Sequence, residues 1–237
     1  MSIAKASNGC CCSCLKFFSH PVGQKMTMAI TGAGLAAFLF IHLLGNSSLF
    51  AGPGGINVYA QTLHALPPVV WAFRGAMLLL FAVHIWLGIK VTLENQAARP
   101  VAYARRDYLA VTLASRTMIW SGAIIGLLLI YHIFHFTVQN ICPETASHAL
   151  RDAMGRPDVY TMVVSSFRHA GTALLYIVWM GAVALHVSHG VHSGLQSLGL
   201  AGDKTLPLWK QIALFLAILL FIAYASIPAS IFAGVVK

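Results

Sequence analysis

The chain has 237 residues, of which 58% are hydrophobic and only 9% charged, and its mean hydropathy is +0.77. So apolar a composition excludes an ordinary soluble globule. The formal charge of +9 does not point to nucleic acid, because the Lys and Arg residues lie in short clusters between apolar stretches and form no basic face or binding motif.

In chain order, residues 1–25 read as a leader carrying Lys5, Lys16 and Lys25 together with Cys10, Cys11, Cys12 and Cys14. Four thiols so close together rarely close a tetrahedral metal site without distant partners, so they read as reduced, solvated thiols. Five apolar stretches follow, at roughly 26–50, 69–92, 116–138, 168–192 and 209–233. Each is about 20 residues or more, enough to cross the hydrocarbon core at the helical rise. The first is too long for a signal-peptide core and lacks a small-residue cleavage site, so it is expected to stay in the membrane. The connection 51–68 has no Lys or Arg. Residues 95–115 form a basic, partly amphipathic connection, and 139–167, with Cys142 alone, mixes charges and is a candidate surface helix. None of these could hold a soluble catalytic domain. The expectation is an all-α integral membrane bundle, with residues 26–237 forming one five-helix domain behind the leader.

Orientation follows from the flanking cations, since short cytoplasmic loops retain Lys and Arg. Lys5, Lys16, Lys25, Lys90, Arg99, Arg105, Arg106, Arg116, Lys204 and Lys210 share one side. On the other side, Arg151 and Arg156 are accompanied by Glu144, Asp152 and Asp158. The N-terminus is therefore expected in the cytoplasm and the C-terminus outside.

Four spans carry a histidine. A buried imidazole in lipid is costly without a partner, and imidazole is the usual axial ligand of haem iron. His42 lies 16 residues beyond Met26, and His132 the same distance beyond Arg116; at the helical rise both are about 24 Å from the cytoplasmic side. The second and fourth spans run the other way, so His84 lies about 9 Å from Lys90 and His186 about 14 Å from Leu195. Two histidines thus share an outer level and two an inner level, the arrangement that two bis-histidine haems stacked across a membrane require. Hydrogen bonding to a neighbouring helix is the alternative for any one of them, but it gives no reason for four to sort into level pairs. His189 lies as near the level of His84 as His186 does, so depth leaves both open. His192 shares part of that face, and His64 and His148 fall in outer loops. Glycines near the four, among them Gly32 and Gly122, would admit a flat macrocycle; Gly122 with Gly126 equally fits small-residue helix packing.

These segments resemble a known family, the dihaem five-helix cytochrome b membrane anchor of succinate dehydrogenase and fumarate reductase. The resemblance rests on Thr31-Gly32, Phe40-Ile41-His42-Leu43 and Gly45-Asn46 in the first span. It continues with Ser121-Gly122 ten residues before His132, and with Leu185-His186 followed by Gly190 in the fourth. Each motif is weak alone; four in order with consistent spacing are specific, and the family's His-x-x-x-Gly segment selects His186. The resemblance implies two haem b groups, the outer held by His42 and His132 and the inner by His84 and His186, with His189 and Arg116 in the inner haem's surroundings. It further implies a flavoprotein and an iron–sulfur subunit on the cytoplasmic face of a prokaryotic inner membrane, and a quinone, expected to be menaquinone, as exchangeable substrate. A homodimer of that heterotrimer stays open. The basic stretch 99–116 would be a docking rim or a propionate contact, though a positive-inside loop accounts for it equally. In one branch of the family a glutamate 22 residues after the first ligand serves the outer quinol site; here His64 stands there, and a histidine can also accept a proton near neutral pH. That branch's glutamate two residues before the fourth-span ligand is replaced by Ala184.

Other readings are a cytochrome b subunit of a hydrogenase or formate dehydrogenase, or a metal-ion transporter. A transporter would be expected to carry acidic partners in its spans. A bc-type cytochrome b needs two separated ligands on each of two helices, a pattern this chain lacks.

Overall fold

The computed structural model describes residues 20–98 and 112–237. The cysteines Cys10 to Cys14 and the basic residues Arg99, Arg105 and Arg106 lie outside the described residues. The elements are α1 (Pro21–Ser47), α2 (Pro53–His64), α3 (Pro67–Ala97), the single turn α4 (Leu113–Arg116), α5 (Met118–His132), α6 (Val159–Arg168), α7 (Ala170–Ser197) and α8 (Leu206–Phe232). No strand occurs among the described residues. Five helices, α1, α3, α5, α7 and α8, are long and apolar enough to cross a membrane, so the chain is a multi-pass, all-α membrane protein.

Several starts are written in proline. Pro21, Pro53, Pro67 and Pro207 sit in the first turn of their helices, where the missing N–H would have had no helical partner. That is why α1 begins at Pro21, five residues before the expected 26, and takes the end of the leader into the span. The 51–68 connection also departs from expectation. Its Gly-Pro-Gly-Gly start reads as turn, yet it carries the twelve-residue helix α2. Gly45 makes room for this helix: a Cβ there would lie 2.6 Å from the Tyr59 hydroxyl. In the 139–167 stretch the expected surface helix is α6, confined to its last third.

Since α1, α5 and α8 start on one side and α3 and α7 on the other, the bundle has an N face, where α1 begins, and a C face. The most extensive packing is between α7 and α8, where Ala213 and Ala217 are fully buried and let the backbones approach. α7 packs against both α1 and α5, while α3 leans mainly on α1, touches α5 lightly and buries fully only Leu87. The apolar core gathers towards the C face, where Met162, Val163 and Phe167 of α6 meet Tyr176, Trp179, Met180, Ile227 and Ile231.

A polar cap closes that face. Asn57 of α2, 0% exposed, donates to Asp152 at 3.2 Å and Asp158 at 3.1 Å and accepts from the Tyr160 N–H at 2.9 Å. Arg156 pairs with Asp152 at 2.7 Å. Burial alone would raise the Asp152 carboxyl, but hydrogen bonds from the Arg156 backbone and guanidinium, the Asn57 amide and the Met154 N–H bring it down from 3.8 to about 2.

Candidate functional site

The four histidines read as sharing two depths meet in pairs. His42 of α1 faces His132 of α5 with ring centres 6.0 Å apart, and His84 of α3 faces His186 of α7 at 6.3 Å. Both pairs are close to perpendicular, with interplanar angles of 88° and 68°. A direct N–H···N hydrogen bond of about 2.9 Å would draw the ring centres to about 5.2 Å. A metal between them, about 2.0 Å from each nitrogen and about 1.1 Å more from each ring centre, sets them about 6.2 Å apart. The observed gaps match the second spacing.

Hydrogen bonding leaves the right nitrogen free. Thr31 Oγ1 donates its only proton to the backbone carbonyls of Thr27 and Met28, at 2.9 and 3.0 Å. With that proton on a carbonyl, the hydroxyl, 3.1 Å from His84 Nδ1, accepts from a protonated Nδ1. Ser121 repeats the arrangement: its hydroxyl donates to Met118 O at 3.1 Å and stands 3.1 Å from His186 Nδ1. In both rings the lone pair is left on Nε2, the tautomer a metal ligand needs.

Small residues clear the rings. A Cβ on Gly32 would stand 3.0 Å from His84 Cε1, and one on Gly122 3.4 Å from His186 Cε1. Thr31-Gly32 and Ser121-Gly122 each lie on the helix that carries an opposite-level histidine, eleven residues further along at His42 and His132. Eleven residues span about 16 Å, which sets the separation of the two levels consistently along α1 and α5.

The donor set decides what could sit in the gaps. Among the described residues no three His, Cys, Asp or Glu side chains converge, so a bare ion would find two protein ligands where four to six are usual. Two trans imidazoles suffice when a planar macrocycle supplies the other four ligands, as in haem. Beside each pair a buried ring nitrogen lacks a protein partner, Trp179 Nε1 next to His132 and His189 Nδ1 one turn beyond His186. The residues present fit haem at both levels.

The other expected site residues fall as follows. His84 is met by His186; His189 instead packs on His192, with ring centres 4.9 Å apart, and His192 Nδ1 stands 2.9 Å from Ser188 O. Arg116 is exposed at the end of α4, which packs against α7 on the N face. His64 is the exposed last residue of α2 on the C face, its Nδ1 2.8 Å from Ala60 O, and it is not drawn into the buried cluster.

Sequence reasoning missed His135 and Tyr176. After His132, α5 widens into a π-turn, Ile133–Thr137, that turns His135 inwards to 4% exposure. Its Nδ1 lies 3.1 Å from the Tyr176 hydroxyl, which is also 3.4 Å from His132 Nδ1. The only signal was a second histidine three residues after the first. Comparison with protein-family models, with curated proteins and with solved structures finds no match to this chain.

Proposed function

We propose that the chain is a dihaem cytochrome b that carries electrons across the membrane, and that it serves as the quinone-reactive anchor of a succinate:quinone oxidoreductase. The observation that carries the dihaem part is the pair of histidine gaps, 6.0 and 6.3 Å, with each N-face imidazole held at Nδ1 by a hydroxyl of a neighbouring helix. His42 and His132 would hold the outer haem, and His84 and His186 the inner one. Haem iron supplies one-electron transfer without needing a proton, which suits carriage through an apolar bundle.

The chain's own residues do the rest. Thr31 and Ser121 fix ring rotation and tautomer, Gly32 and Gly122 keep the ring edges clear, and the lipid-facing helices exclude water. The anchor role, with a flavoprotein and an iron–sulfur subunit on the N face, rests on the resemblance of the segments around His42, His132 and His186. So do a cytoplasmic N-terminus in a prokaryotic inner membrane and menaquinone as the exchangeable quinone. His64, exposed on the C face, stands where one branch of that family has a glutamate, and would accept the proton at the outer quinone in its place.

The test is spectroscopic. The purified protein should hold two low-spin b-type haems per chain. His42→Ala and His132→Ala should each remove the same haem, and His84→Ala and His186→Ala the other, while His189→Ala keeps both. A colourless protein refutes the dihaem reading. Co-purification with a flavin-bearing subunit separates the succinate/fumarate anchor from a hydrogenase or formate dehydrogenase cytochrome b. His64→Ala should retain both haems and slow quinol turnover.

A further inference from the structure

The two levels hold their histidines differently. On the N face the hydroxyls of Thr31 and Ser121 end on carbonyls of their own helices, so the hydrogen bond on each imidazole is anchored in fixed backbone. On the C face the group beside His132 Nδ1 is the Tyr176 hydroxyl, which stands between two imidazoles, 3.4 Å from His132 Nδ1 and 3.1 Å from His135 Nδ1, instead of being tied to backbone.

The direction of this chain can be worked out from proton counting, given the ligand role of His132 proposed above. With His132 Nε2 on iron, its Nδ1 must carry a proton and donates to the Tyr176 oxygen. The single Tyr176 proton is then free to go to His135 Nδ1, which accepts. The phenol thus receives from one histidine and gives to the other. A hydroxyl that donates onward is a stronger acceptor, because hydrogen bonds in a chain polarise one another. His135, 4% exposed and packed against Phe136 with ring centres 4.0 Å apart, is held in place for this by the π-turn.

We infer that Tyr176, oriented by His135, is a positioning residue that sets the strength of the hydrogen bond on His132 and thereby the reduction potential of the C-face haem alone. A partner that draws on Nδ1–H makes the imidazole more basic and favours ferric iron. Weakening the partner should therefore raise the potential of that centre.

The experiment is a redox titration of the two haems in the purified wild-type protein and in Tyr176→Phe, His135→Leu, His135→Gln and the Tyr176→Phe/His135→Leu double variant. Tyr176→Phe should bind both haems and move one potential upward, by about tenfold in the ferrous-to-ferric ratio at fixed ambient potential, or about 59 mV for one electron. His135→Leu should move the same centre in the same direction by less. His135→Gln, whose amide oxygen can still accept from the phenol, should restore the wild-type value. The double variant should match Tyr176→Phe, because the His135 effect passes through the phenol.

Additive shifts, equal shifts at both centres, or a Tyr176→Phe potential that does not move while both haems stay bound would overturn the inference and leave the dihaem reading intact. If Tyr176→Phe loses the haem, His135→Leu against His135→Gln decides the matter by the same measurement. A wild-type protein without haem would end both proposals.

Discussion

The two ends of the bundle solve one problem by different means. At the N face each imidazole is held by a short hydroxyl one helix away, Thr31 for His84 and Ser121 for His186, and a glycine clears each ring. At the C face the holding group is an aromatic cluster. His132 is packed by Phe136, Tyr176 and Trp179, and His42 stacks on Phe38 at 5.2 Å. The cap of α2, α6 and the loop between α5 and α6 closes over this end. Local hydroxyls fix a ring through covalently continuous backbone, whereas an aromatic cluster fixes it through the tertiary fold. The N-face pair should therefore answer to point changes beside the ring, and the C-face pair to changes in the cap as well.

The largest separation should come from steric change. Gly32→Leu drives a side chain into His84 and is expected to abolish the N-face haem, halving the haem absorbance, while the C-face signals persist. Gly126→Ala, in open space on α5, should change neither. Loss of both haems in Gly32→Leu would mean that the two levels are not independent.

Next comes the cap. Asn57→Ala removes three hydrogen bonds from a fully buried position, one of them to each of two carboxylates, a cost of about 3 kcal/mol. Hydrogen exchange should rise in α2 and α6 and thermal unfolding should begin there, with α4 and the starts of α1 and α5 still protected. Uniform loosening would contradict the division into ends.

Smaller is Thr31→Val, which removes the hydroxyl beside His84 Nδ1 and should cost about 1 kcal/mol in thermal unfolding. Thr31→Ser should recover it. Smallest is the effect of acid. The Asp152 carboxyl is depressed in the fold, so its contribution to the cap is complete above about pH 4 and is lost as the pH falls through about 2. Protection of α6 should fade over that interval, and Asp152→Asn should flatten the dependence.

How much of this could be read beforehand depended on which coordinate each feature uses. The spans were legible because apolar runs need only length, and the histidine levels because depth along a helix is residue count times rise. His42 with His132, and His84 with either His186 or His189, follow from depth once helix direction is known. Choosing His186 over His189 needed azimuth: the family's Gly190 spacing pointed to His186, and it is the His186 ring that lies 6.3 Å from His84. Tyr176 and His135 were illegible for the same reason: a π-turn shifts azimuth by most of a residue without marking the sequence. Helix α2 was hidden by Gly52, Pro53, Gly54 and Gly55, which read as turn but serve as the entry to a helix.

One more consequence lies in the thin seating of α3. This helix buries only Leu87 fully and is joined to the rest mainly through α1, yet it supplies His84 to a partner on α7. A ligand shared by His84 and His186 would act as a rivet through the wall of the barrel, fastening a stave that side-chain packing alone holds loosely. On this reading, loading the N-face cofactor and fastening α3 to the bundle would be a single assembly step.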